Sequence, residues 1–186
     1  MNTSEIWHHS MSDVTLDALL APRPVTLYET AVDAEWVDFN GHMNVAYYAI
    51  LFDRALDNFL DVVGLGHEYT RREGSSMFVV ESHFTYQKEV LSGDPVAVRL
   101  QLLDRDRKRI HCFMELYQVR DGFLAATSEQ IAVHVDLSAR KSTSIPVSTV
   151  ERLGRILEAH SRIARPKEVG HKIGIRRKPS VDSKVS

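Results

Sequence analysis

Within seven residues, "DFNGHMN" sets a carboxylate, two amides and an imidazole at alternate positions: Asp38, Asn40, His42 and Asn44. These are the groups a hydrolytic site uses, because a carboxylate takes a proton from water while an amide or imidazole orients it. From Val45 onward the apolar residues recur at intervals of three and four, so the polar stretch ends where a helix begins. A helix start offers unpaired N–H groups and partial positive charge, which polarise a carbonyl or hold an oxyanion. Gly41, Met43 and Asn44 are the candidates for that task; Asp38, Asn40 and His42 are the candidates for handling water. The same residues also suit an ordinary helix start. Asn44 is a favoured N-cap, Asp38 and Asn40 can support a turn, Gly41 can take a positive φ, and His42 can then be a surface bystander.

Glu81 is a second acid of interest. In "SSMFVVESHFTY", simple alternation groups Glu81 with Met77, Val79, His83 and Thr85, and sets Phe78, Val80, Phe84 and Tyr86 on the other face. A carboxylate among apolar neighbours is costly to bury alone. Glu81 therefore either faces solvent, pairs with a lysine, or points into a pocket. His83, His111 and His134 sit in alternating strands as packing residues, and neither an HExxH motif nor clustered His and acid spacing suggests a metal. The chain also lacks a glycine-rich phosphate loop and a GxSxG elbow, which excludes kinase-like and serine-esterase chemistry. No cofactor is expected. The single cysteine, Cys112, excludes a disulfide framework within one chain and lies in the apolar "IHCFMELYQV" as a small buried hydrophobe.

The elements that must position these groups follow from the hydrophobic pattern. "PVTLYETAVDAEWVD" alternates and predicts a first strand over residues 24–37. Val45, Tyr48, Phe52, Leu56, Phe59 and Val63 share one face of a long helix that Gly64 stops. Strands follow through "SSMFVVESHFTYQKEV" and, after the "GDP" turn at 93–95, "VAVRLQLLD". The charged "DRDRKR" is a solvated connection, and "IHCFMELYQV" and "GFLAATSEQIAVHVDL" form a hairpin across a two-residue turn at Asp121 and Gly122. A terminal helix is expected over Val147 to His160, after Pro146. One long helix on one face of an antiparallel sheet is an α+β arrangement. Long strands with polar residues on the second face favour a homodimer that extends the sheet edge to edge, or a dimer of such dimers.

The chain has 186 residues, enough for one domain with a sizeable core, here placed at 24–160 between an N-terminal lead at 1–23 and a C-terminal tail at 161–186. The tail carries eight Lys and Arg against two acids, a net +6 within a chain of net −2. Little apolar periodicity makes it a flexible appendage. Without aromatic interleaving it is not expected to bind nucleic acid. No apolar run is long enough for a membrane helix, and the start lacks a secretory signal, so the chain is expected to be cytoplasmic and off the membrane.

"DFNGHMNVAYYAILFDRAL", with "ESHFTY", the "GDP" turn and the "DG" hairpin, resembles the signature of hotdog-fold acyl thioesterases over residues 25–146. The resemblance implies an antiparallel sheet wrapped around one long central helix. Asp38 matches the catalytic Asp of the 4-hydroxybenzoyl-CoA thioesterase group. Asp38, Asn40, His42 and Asn44 together match the D-x-N-x-H-x-N pattern of plant acyl carrier protein thioesterases. The second half is similar to the thioesterases of bacterial carnitine catabolism, which implies betainyl-CoA as substrate and glycine betaine and CoA as products. Many CoA thioesterases of this fold carry an apolar residue where His42 stands, which leaves a structural role for His42 open. In the implied mechanism Asp38 is general base or nucleophile, His42 and Asn40 orient, and the amides of Gly41 to Asn44 polarise the thioester oxygen. For a trimethylammonium acyl group, Glu81 would balance the charge and Trp36, Phe39, Tyr47 or Tyr48 would supply cation–π contact. Another short or medium acyl-CoA, an acyl-thioester hydratase, and a non-catalytic acyl-CoA binding domain are the rival readings.

Overall fold

A computed structural model describes residues 14–175. Five long strands form one antiparallel sheet: β1 (Val25–Ala31), β2 (Ser75–Tyr86), β3 (Pro95–Arg105), β4 (Arg109–Gln118) and β5 (Phe123–Asp136), in the order β1-β3-β4-β5-β2, with the short β6 (Lys141–Ser142) pairing β5. Four helices accompany it: α1 (Leu16–Leu19), α2 (Val45–Val63), α3 (His67–Glu73) and α4 (Val147–His160). The expected long helix, its stop and the terminal helix are all present. Gly64 ends α2 at φ 80°, a left-handed conformation that glycine adopts without penalty.

The sheet curls because four register shifts interrupt its ladders, at Thr26/Tyr28, Val79/Glu81, Leu102/Asp104 and Leu116/Tyr117. Each inserted residue bends its strand and increases the local twist. The concave side wraps α2, whose Tyr48, Leu51, Phe52, Ala55, Leu56, Phe59, Leu60 and Val63 are buried. Val98, Leu100, Leu102, Ile110, Cys112, Met114 and Leu116 meet them from β3 and β4. Polar groups pin the helix as well: the Asn58 amide donates to the carbonyl of Leu27 at 2.7 Å, at the β1 bulge. Cys112 is wholly buried and its thiol is pushed up to about 12, chiefly by burial, so it packs rather than reacts.

Three expectations need correction. The first strand ends at Ala31 and not near 37, because the Asp33 carboxylate accepts from the Glu35 N–H at 2.9 Å and turns the chain into a short 3-10 helix, Ala34–Trp36. The β4–β5 connection is four residues long, 119–122, closed by Gly122 N–H donating to the Gln118 carbonyl at 3.1 Å. The basic segment beginning at 161 does not hang free in its described part. Glu168 is buried, and the Gly170 N–H donates to Glu129 on β5 at 2.7 Å. The remaining tail, 176–186, lies outside the described residues, as do 1–13 of the lead. The rest of the lead packs: Leu19 is fully buried.

Candidate active site

The loop between the 3-10 helix and α2 is a closed, hydrogen-bonded unit. Val37 bridges Met43 in antiparallel fashion, the Asp38 N–H donates to the His42 carbonyl at 3.1 Å, and Gly41 donates back to the Asp38 carbonyl at 2.9 Å. Gly41 has φ 82°, as the tight return requires. The Asp38 carboxylate is held at both oxygens: Oδ1 accepts from the Asn40 N–H at 2.8 Å and Oδ2 from Asn44 Nδ2 at 3.3 Å. Asn44 is the cap of α2, its Oδ1 accepting from the Ala46 N–H at 3.0 Å. One side chain thus caps the helix with its oxygen and steadies the acid with its nitrogen.

A cavity of about 340 Å³ opens at this helix start, lined by His42, Met43, Val45, Tyr48, Tyr86, Gln87, Lys88 and Glu89. His42 Nδ1 lies 3.3 Å from the Met43 carbonyl, which can only accept, so Nδ1 is the donor in this contact. Tyr48 and Tyr86 meet edge to face with centroids 5.2 Å apart. Burial raises the pKa of Tyr48, Tyr86 and Glu89 add to the rise, and a hydrogen bond from the Val90 backbone to the phenol oxygen works against it, so the phenol stays neutral.

The amides expected to polarise a carbonyl are already spent. Gly41 donates to Asp38, Met43 to the Val90 carbonyl at 2.9 Å, and Asn44 to the Trp36 carbonyl at 2.8 Å. The N–H groups of His42 and Val45 have no acceptor among the described residues, and both residues line the cavity. Val45, expected in the core, is 56% exposed for that reason.

Of the expected wall residues, only Tyr48 reaches the cavity. Trp36 and Tyr47 stack on each other at 5.3 Å, and Phe39 is 97% exposed, its ring uncovered within this chain. Glu81 is exposed and lies on the opposite side of the sheet. The bulge puts Val80 out of register, so Glu81, His83 and Thr85 share the outer face while Phe84 and Tyr86 turn inward onto Phe52 and Tyr48. Glu89 is the carboxylate that lines the cavity instead. Its placement depends on how the chain leaves β2, and "QKEV" alone carries no periodicity that shows it.

Residues 32–153 match the Thioesterase-like superfamily. The chain belongs to this family. The thioesterase is 38% identical over 151 residues to the betainyl-CoA thioesterase of Pseudomonas aeruginosa, across 81% of this chain and 95% of that one. It is 37% identical to the L-carnitine dehydrogenase/betainyl-CoA thioesterase of Rhizobium meliloti across 86% of its own length but 32% of that longer chain. Among solved structures, it superposes on a Staphylococcus aureus protein in complex with CoA with TM-score 0.78 at 31% identity, covering 84% and 98% of the two chains. The curled sheet around α2 is the hotdog fold. Among the described residues, no helix of the thioesterase is long and apolar enough to cross a membrane.

Proposed function

We propose that this thioesterase hydrolyses betainyl-CoA to glycine betaine and CoA. The observation that carries the thioester reading is the cavity at the start of α2, lined by His42 and Val45 with their uncommitted N–H groups; Asp38 does not line it but stands in the same loop, four residues before His42. Asp38 takes the proton from the attacking water, or attacks the carbonyl itself. Its partners Asn40 and Asn44 hold it in place, and the His42 and Val45 amides receive the oxyanion. The His42 ring, at the cavity wall, orients the water. Thiolate leaves with little acid assistance.

The acyl group is inferred from the carnitine-degradation relatives, and the cavity chemistry suits it. A trimethylammonium group has no N–H to donate, so it is recognised by aromatic faces and a carboxylate, which Tyr48, Tyr86 and Glu89 supply. The working unit is a dimer joined along β2. That strand pairs β5 on one side only among the described residues, and its Phe78, Val79 and Val80 are exposed. Release of free thiol from a panel of acyl-CoAs tests the reading. A kcat/KM for betainyl-CoA above that for an uncharged acyl-CoA of equal length is expected; a preference for the uncharged chain overturns the acyl assignment, and no thiol from any member overturns hydrolysis.

A further inference from the structure

The outer face of the sheet is polar along rows that cross from β2 to β3, and residues 166–171 lie against it. This strap is anchored twice. The Gly170 N–H donates to Glu129 Oε2 at 2.7 Å, while Glu129 Oε1 lies 2.8 Å from His111 Nε2. Glu168, only 8% exposed, accepts from Gln87 Nε2 at 3.2 Å. A carboxylate buried on a sheet exterior, close to the Glu115 charge, costs free energy unless it is paired; Lys167 Nζ stands 3.7 Å from Glu168 Oε1, and the Gln87 amide supplies the hydrogen bond from the sheet side.

Gln87 lines the cavity, and it begins the segment 87–89 that lines the cavity beside it. That segment leaves the sheet at Gln87: its N–H and that of Lys88 both donate to the Ala125 carbonyl, at 2.8 and 3.2 Å. Just past its other end the Val90 carbonyl accepts from Met43 in the catalytic loop. Between these points Lys88 Nζ rests 3.8 Å from the centre of the Phe123 ring on β5, and Glu89 follows without a strand partner among the described residues.

We propose that Glu168 is a positioning residue: by binding the Gln87 amide, the C-terminal strap fixes the wall of the acyl-CoA site. This rests on the cavity being the substrate site. Its effect falls on substrate binding, because the strap sets where the wall stands and not the chemistry of Asp38.

The test compares kinetic constants in the full-length chain. Glu168→Ala removes the acceptor and raises KM about tenfold with kcat within twofold. Glu168→Gln keeps an acceptor oxygen and stays within twofold of the parent. Gln87→Glu opposes two carboxylates and raises KM, and adding Glu168→Gln to it restores the bond with donor and acceptor exchanged and brings KM back. Thermal melts of the same proteins serve as control for folding. Equal KM in the parent and Glu168→Ala overturns the proposal, as does a double variant no better than Gln87→Glu alone. A parent that releases no thiol from any acyl-CoA instead removes the hydrolytic reading on which the proposal stands.

Discussion

At the scale of single residues, Asp38 shapes its loop and is also the base proposed for the reaction, so substitution has to separate the two. Asparagine retains the Oδ1 acceptor for the Asn40 N–H but is no base. Asp38→Asn is therefore expected to lower kcat by about 10³-fold while shifting the melting temperature little. Turnover near that of the parent would assign the carboxylate to the loop alone. The site was legible at this scale as far as residue type reaches: the acid, the amides and the cap stand close together in sequence. Which N–H groups remain uncommitted was not legible, because Met43 is consumed by Val90, 47 positions away, and Asn44 by Trp36. Only the folded chain distinguishes the His42 and Val45 amides from their neighbours.

At the scale of elements, α2 joins the cap, the core face and the cavity. Asn44→Ala removes the Ala46 bond and leaves Asp38 Oδ2 without its partner. It should cost about 1 kcal/mol of stability, measured by denaturant melts, and lower kcat as well. Asn44→Asp, which caps but repels Asp38, should recover part of the stability and none of the turnover. Further along the same helix Asp53, Asp57 and Asp61 stand one turn apart, and burial, then these two like charges, raise Asp57 from the ordinary 3.8 to about 6. A carboxyl raised by folding is charged at a penalty above its folded value and carries no penalty once protonated in both states. Asp57→Asn should therefore melt higher than the parent above pH 6, with the difference vanishing as pH falls below about 4. A constant offset across that window would show that the gain is not electrostatic.

The helix itself was legible from its apolar spacing, since three- and four-residue intervals ending at glycine admit one regular structure. The sheet was legible as strands but not as faces. Alternation along β2 assigns Glu81 to the side of Met77, and one unpaired residue at Val80 reverses every assignment after it. The docking of the tail was hidden for a related reason. Gln87 and Glu168 are 81 positions apart, and nothing local to a polar, basic segment marks a buried glutamate.

At the scale of the whole molecule, the dimer proposed along β2 would make a single chain an incomplete catalyst. Lysine at an exposed edge position opposes strand pairing while leaving a monomer folded. Val80→Lys, at a residue 61% exposed, is expected to shift sedimentation from dimer to monomer and to reduce kcat/KM at least tenfold. A dimer with full activity would place the interface elsewhere.

The extra residue in β2 gives the strand something like a reading frame. Six residues follow it, and their inward or outward sense is set by that insertion and by nothing in their own chemistry. Deleting Val80 changes no other side chain, yet it would present Glu81, His83 and Thr85 to Phe52 and Tyr48 and turn Phe84 and Tyr86 out to water. Among descendants of this chain, then, substitutions at this position should be tolerated far more readily than its loss.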